Sequence, residues 1–218
     1  MAALLVPASA SASERVLDGS FDVITACTPS DCTSPVWAET VDNGGGTGPL
    51  CQAGTGSCGY FQGMGMVFAS SPPVWAQFGG ESVLADPTYS IQQVVNVPAA
   101  PATLRFQLFI KDSNATTGAF TVQINGTPVF AAGGTTPGYG AYAPVSIDIS
   151  PFAGGLRTLR FDVSEANPGG VSTDSFNVDN VSLDAPDHSP VPATPIKKKC
   201  KKSKKLKHGK CRKKHKKH

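Results

Sequence analysis

The chain has 218 residues, 40% of them hydrophobic, which suffices for one domain with a sizeable core and is short for two. Its formal net charge of +3 combines two regions of opposite sign. Residues 197–218 carry fourteen of the nineteen Lys and Arg and no acidic residue, whereas the other 196 residues carry five basic and sixteen acidic side chains. No apolar run reaches the roughly 18 residues of a membrane span, so we expect no transmembrane segment.

Residues 1–13 combine a short apolar run with small residues that give Ala-Ser-Ala cleavage sites. This pattern is typical of the end of a secretory signal, although the usual positive charge before the apolar run is missing. We therefore expect a signal-peptide remnant and an extracellular, secreted or envelope-associated protein. The alternative is a disordered Ala/Ser-rich leader.

Six cysteines fit an oxidising compartment. Cys27 and Cys32 enclose four residues, and Cys51 and Cys58 enclose six, in sequence that favours loops. Three connectivities are open to these four residues, and we favour Cys27 with Cys32 and Cys51 with Cys58. A zinc site is the rival, but zinc sites prefer shorter spacings. Cys200 and Cys211, in the C-terminal tail, could close a loop there or crosslink two chains.

Apolar and polar residues alternate along much of the chain, as expected of strands that are buried on one face. The predicted strands are 16–25, 35–40, 74–80, 90–97, 104–111, 120–124, 127–130, 142–149, 156–163 and 175–184. Residues 42–65 are rich in glycine and predict a long loop. Asn125-Gly126 joins two strands and predicts a type I′ hairpin turn. About eight to ten strands and no amphipathic helix predict an all-β, two-sheet antiparallel jelly-roll sandwich over residues 14–185.

The C-terminal region is not expected to belong to this domain. Residues 186–196 are rich in proline and predict a semi-rigid linker. Residues 197–218 are polybasic with very little to bury, so we expect a disordered tail. Such a tail would bind anionic polymers, without sequence-specific recognition of nucleic acid because it lacks aromatic residues. The alternative is a solvated tail that only aids solubility.

Catalysis has little support in the sequence. Outside the tail the only histidine is His188, in the linker, so no Ser/His/Asp or Cys/His constellation can form on the domain. No spacing singles out a carboxylate pair for glycoside hydrolysis. We therefore expect a protein that is not an enzyme.

Metal binding is better motivated by the acidic residues near the two ends of the domain. In the segment 175–184, a regular alternation with Val181 and Leu183 facing the core would put Asp179 on the same inward face, where a carboxylate needs a partner. First and last strands often lie side by side, which would bring Asp18 and Asp22 to Asp179. Oxygen ligands of this kind suit a structural Ca²⁺. The alternative is that these carboxylates cap turns or are solvated.

The motifs V-L-D-G-S-F-D, P-L-C, W-A-Q-F-G-G, V-S-I-D-I-S-P-F-A-G-G and F-N-V-D-N-V-S-L occur in this order over residues 14–185. Together they resemble galactose-binding-like jelly rolls of bacterial exported proteins, which are related to carbohydrate-binding modules. The resemblance implies a structural calcium at the positions of Asp22 and Asp179, with Asn180 in place of a second aspartate. The Lys/Cys-rich tail resembles tails on exported proteins of high-GC Gram-positive bacteria, which implies the cell envelope.

Sugar binding would use aromatic faces together with polar side chains that hold hydroxyls. The candidates are Trp37, Tyr60, Tyr139 and Tyr142, while Trp75 is expected to pack in the core. We therefore expect an exported binding module for carbohydrate or envelope glycan. The alternative is a structural or adhesive envelope protein with no specific sugar ligand.

Overall fold

The computed structural model describes residues 15–27, 32–42, 48–52, 69–79, 87–99, 101–111, 118–166, 174–184, 204–207 and 210–213. The chain divides into two compact units, residues 1–186 and 187–218. The strands of the first unit are β1 (Ala26–Cys27), β2 (Cys32–Thr33), β3 (Ala38–Asp42), β4 (Leu50–Gln52), β5 (Val74–Gly79), β6 (Thr88–Val97), β7 (Thr103–Lys111), β8 (Gly118–Ile124), β9 (Thr127–Gly133), β10 (Ala143–Asp148), β11 (Gly155–Glu165) and β12 (Ser175–Asp184).

Ten of these strands form two five-stranded antiparallel sheets. The first sheet has the order β10-β7-β12-β5-β4, and the second has the order β3-β6-β11-β8-β9. β1 and β2 form a separate two-stranded pair. The predicted all-β sandwich of about eight to ten strands is confirmed, because period-two alternation marks half-buried strands directly.

The core lies between the inner faces of the two sheets and is rich in phenylalanine. Phe106 of the first sheet meets Phe161 of the second with ring centroids 5.4 Å apart, and Phe120 stacks on Phe176 at 5.7 Å. All four rings are buried. Rings from opposite sheets thus interdigitate across the sandwich.

The hairpin between β8 and β9 forms as predicted. Asn125 and Gly126 both have positive φ, 50° and 77°, as a type I′ turn requires. The Asn125 side chain accepts the main-chain N–H of Thr158 at 2.8 Å, which ties the turn to β11.

The strand predicted at 16–25 is wrong. Asp18 and Phe21 have φ of 54° and 62°, and the Phe21 N–H donates to the Asp18 carbonyl at 3.1 Å, so the chain turns here. Phe21 is nevertheless buried, which explains why the apolar pattern looked like that of a strand. The loop predicted at 42–65 likewise contains the short strand β4, at the edge of the first sheet.

The described residues of the second unit form a hairpin. β13 (Lys204–Lys207) pairs with β14 (Lys210–Lys213) in antiparallel register, with Leu206 opposite Cys211. Two residues separate the strands, which is the shortest common hairpin spacing. A dense charge run therefore does not prevent this backbone pairing.

Candidate functional site

A β-bulge in β12 decides where Asp179 lies. The pairing of β12 with β7 shifts register between Asp179 and Ser182, and Asn180 adopts a φ of 53°. Residues on both sides of the bulge face the core: Phe176, Val178, Val181 and Leu183. The predicted inward position of Asp179 is therefore wrong, because the extra residue reverses the alternation and leaves Asp179 on the outer face of the first sheet.

Asp179 is nevertheless buried. Its carboxylate accepts the main-chain N–H of Ser71 at 2.6 Å and that of Asn180 at 2.7 Å. Burial raises the pKa of Asp179 to about 6, the negative charge of Asp22 also raises it, and the main-chain donors partly oppose the rise. The ionised form is thus costly here, and a neighbouring cation would relieve that cost.

The predicted proximity of the two ends of the domain is found in the described structure. The Gly19 carbonyl accepts the main-chain N–H of Val181 at 2.8 Å, and the Asp18 carbonyl accepts the Trp37 indole N–H at 2.9 Å. The turn that carries Asp18 and Asp22 therefore lies beside β12. Among the residues that the structure describes, no group of three or more His, Cys, Asp or Glu is arranged to hold a metal ion. A cation between Asp22 and Asp179 would need main-chain oxygens as further ligands.

Trp37 is not a sugar platform. Its side chain is only 2% exposed and packs between Phe21 and Phe161, with ring centroids at 5.2 and 6.1 Å. With both ring faces covered, Trp37 belongs to the core, and its predicted ligand-binding role is wrong.

The three tyrosines predicted for sugar binding differ in their positions. Tyr60 lies outside the described residues. Tyr139 is half-buried and packs against the core. Tyr142 is half-buried, with its ring centroid 5.9 Å from that of Phe109.

Tyr142 belongs to a closed polar cluster on the outer face of the first sheet. The pKa of its phenol is raised, mainly by burial and then by the negative charge of Asp179, while Asn177 has the opposite effect. Asn177 lies in register with Gln77 on β5, and both are buried. Trp75, expected in the core, is indeed buried, but on this outer face and beside Cys51. The chemistry suits a saccharide, yet the phenol oxygen of Tyr142 and the side chains of Asn177 and Gln77 are buried.

Every aromatic side chain in the part of the chain that the structure describes is buried or half-buried. An open groove of about 400 Å³ instead lies on the outer face of the second sheet. Seven residues line it, none of them aromatic: Gln92, Gln123, Asn125, Gly126, Thr158, Arg160 and Asp162.

The centre of the groove is a row of three long polar side chains on adjacent strands. Arg160 of β11 lies in register with Gln92 of β6 on one side and with Gln123 of β8 on the other. Both amides are half-buried, and within the described structure neither has a hydrogen-bond partner. Each therefore offers a donor and an acceptor to the groove.

An ion pair fixes the Arg160 guanidinium. Its Nε and Nη2 both donate to Oδ1 of Asp162, at 3.0 and 2.5 Å, and the two side chains are 35% and 20% exposed. Neither Arg160 nor Asp162 was predicted from the sequence. Their outward positions follow from the alternation in β11, but the register that brings Gln92 and Gln123 beside them does not.

The predicted disulfide between Cys27 and Cys32 is present and joins β1 to β2. Cys51 is buried in β4. Cys58 and Cys200 lie outside the described residues, and Cys211 lies in β14, so the other pairings stay predictions. In the described part of the chain no helix has the length and apolar character needed to cross a membrane.

No family model and no curated protein matches this chain. Its structure is similar to several solved structures at low identity. TmCBM61 in complex with β-1,4-galactotriose is 13% identical, with 69% of this chain and 88% of that chain covered and a TM-score of 0.44. The K1 cleaved adhesin domain of Lys-gingipain from Porphyromonas gingivalis W83 is 13% identical, with 68% and 90% covered and a TM-score of 0.47. A family 35 carbohydrate-binding module from Clostridium thermocellum is 13% identical, with 66% and 90% covered and a TM-score of 0.35. The chain is thus similar in structure to carbohydrate-binding modules and adhesin domains.

Proposed function

We propose that this protein is an exported, non-catalytic module that binds carbohydrate or an envelope glycan. The groove on the second sheet carries the proposal. Among the described residues, neither Gln92 nor Gln123 has a hydrogen-bond partner for its side-chain amide, and Arg160 lies fixed between them. Convergent donors and acceptors in an open groove suit the hydroxyl groups of a saccharide, which both donate and accept hydrogen bonds.

A glycan array followed by calorimetric titration tests this proposal. Replacing Gln92 and Gln123 together by Ala should weaken binding of the best glycan by about tenfold or more, since each lost hydrogen bond contributes about 1 kcal/mol. Asn96→Ala is the matched control, because Asn96 is an exposed amide on β6 that does not line the groove. Equal affinities of the wild type and the double variant, or no array signal for the wild type, would contradict sugar binding here.

A structural or adhesive role without a sugar ligand is the second candidate. The observation that favours it is the burial of aromatic rings such as Trp37 and Trp75 among the described residues. Under this alternative the array gives no signal, and the protein still remains attached to cell envelopes.

A structural calcium ion between Asp22 and Asp179 is part of the proposal. Asp179 is buried and its pKa is raised, first by burial and further by the charge of Asp22, so a cation would stabilise both carboxylates. Asp18 belongs to the same turn and could contribute. EDTA should lower the melting temperature, and Ca²⁺ but not Mg²⁺ should restore it. A melting curve that does not respond to EDTA would exclude the site.

The tail is proposed to contact anionic polymers of the envelope. Its fourteen cationic side chains provide the attraction, and salt screens such contacts. Deleting residues 197–218 should release the protein from envelopes at low salt, while the full chain is released only at high salt. Unchanged retention of the truncated protein at low salt would rule out electrostatic anchoring.

A further inference from the structure

We infer that the groove selects neutral over acidic saccharides, and that the Arg160–Asp162 ion pair determines this specificity. The inference rests on the proposed function and adds the class of ligand. It follows from how the guanidinium is occupied, from the charge of the groove and from the row of amides.

Asp162 occupies one carboxylate-binding edge of the guanidinium. An arginine recognises a carboxylate best through two parallel N–H donors. In the groove, Nε and Nη2 of Arg160 both donate to Asp162 Oδ1. The Nε/Nη2 edge, one of the two edges through which a guanidinium can bind a uronic acid with parallel donors, is therefore already used by the protein.

The charge of the groove also disfavours an acidic ligand. Among the described residues that line it, Arg160 is the one cation and Asp162 the one anion. Their charges compensate at contact distance, so these lining residues carry no net charge that would attract a charged ligand. Asp162 would in addition repel a carboxylate brought close to Arg160.

What remains available suits hydroxyl groups. The bonds between the two side chains join Arg160 Nε and Nη2 to Asp162 Oδ1. Within the described structure, Asp162 Oδ2 and Arg160 Nη1 take no part in these bonds and are available to a ligand. Gln92 and Gln123 flank them on the two neighbouring strands. Because adjacent strands lie about 4.8 Å apart, the row spans about 10 Å and can follow more than one sugar ring. A neutral oligosaccharide can use each of these donors and acceptors without displacing the ion pair.

Asp162→Asn tests the inference, because it keeps the shape of the side chain and leaves the Arg160 charge uncompensated. The full chain is applied to an array that carries neutral oligosaccharides beside counterparts oxidised at C6 to uronic acids, and the best pair is then titrated. The wild type should bind the neutral member about tenfold more tightly or better, and Asp162→Asn should shift the affinity ratio toward the acidic member by about tenfold or more.

Two further variants make the result specific to the groove. Asp184→Asn is the matched control, since it frees Arg105 from a similar ion pair on the first sheet and should leave the ratio unchanged. The double variant Arg160→Gln/Asp162→Asn removes both charges and should return the affinity ratio toward the neutral saccharide. Binding by this variant also shows that the substituted groove still folds. A wild type that binds both members equally, or a ratio unaffected by Asp162→Asn, overturns the inference alone. If the wild type binds neither class, the proposed function fails with it.

Discussion

Asn180 donates its main-chain N–H to the carboxylate of the residue that precedes it, Asp179, at 2.7 Å. Asp179 is the last residue in register before the bulge of β12, which Asn180 and Val181 form, and Asn180 has a φ of 53°. A left-handed residue at this point lets the strand keep Val178 and Val181 in the core while Asp179 lies on the opposite face. The bulge is thus what brings a buried carboxylate close to the N-terminal turn.

Asn180 tolerates this conformation better than other residues with a Cβ, because asparagine visits the left-handed region more readily. Asn180→Val should lower the free energy of unfolding by about 1–3 kcal/mol, the usual cost of a strained backbone, whereas Asn180→Gly should change it little. Urea denaturation measures both. Asn96→Val is the control, since Asn96 is also exposed but lies within β6, where valine is favoured. Equal losses for Val at both positions would show that the backbone at Asn180 is not the cause.

The stability of the metal-free protein should depend on the titration of Asp179. Its pKa is about 6 in the folded protein against 3.8 ordinarily, so between these values the folded state holds a proton that the unfolded chain has lost. The contribution of Asp179 to the free energy of unfolding therefore falls as the pH rises through this window. Asp179→Asn should remove this contribution, so the difference in stability between variant and wild type should grow in favour of the variant from pH 4 to pH 7.

Urea titrations in EDTA measure that difference at each pH. Asp148→Asn is a control for which the pH trend should be opposite. Hydrogen bonds from Ser150 hold the pKa of the exposed Asp148 below its usual value, so this variant should lose stability relative to the wild type as the pH rises. A difference between Asp179→Asn and wild type that does not vary with pH would contradict the raised pKa.

The strands could be predicted because period-two alternation reports burial of one face. β12 has the predicted bounds, and in β7 the alternating residues Phe106 and Leu108 both face the core. The same pattern failed where one residue breaks the alternation. Neither the bulge at Asn180 nor the turn at Asp18 has a signal in hydrophobicity, since both depend on positive φ at residues other than glycine.

The site was harder to predict than the fold. Trp37 and Tyr142 are the residue types that sugars favour, but sequence does not reveal which aromatic rings a core covers. The groove depends on the register of three strands, in which Arg160 lies between two glutamines that are far from it in sequence. Side-chain type alone therefore could not predict this groove.

Gly19 should tolerate no side chain. A Cβ at this position would lie 1.8 Å from the main-chain oxygen of Val181, and main-chain atoms of a paired strand cannot move aside easily. Gly19→Ala should therefore lower the free energy of unfolding by about 1–3 kcal/mol, as overpacking does. It should also speed hydrogen exchange of the Val181 main-chain N–H, which donates to the Gly19 carbonyl. Gly140→Ala is the control, because nothing lies within 4 Å of a Cβ there. Equal stabilities of the two variants would contradict the close contact.

The disulfide between Cys27 and Cys32 should stabilise the protein modestly. The bridge closes a short loop, with a sequence separation of 5, and chain-entropy reasoning assigns such a loop about 2 kcal/mol. The double variant Cys27→Ala/Cys32→Ala should therefore unfold at lower urea concentration than the oxidised wild type, with a difference of about that size. The reduced wild type is the matched comparison, since it loses the bond but keeps both side chains. If the oxidised wild type and the double variant had the same unfolding free energy, the bond would contribute nothing to stability, and β1 and β2 would be held together by their pairing alone.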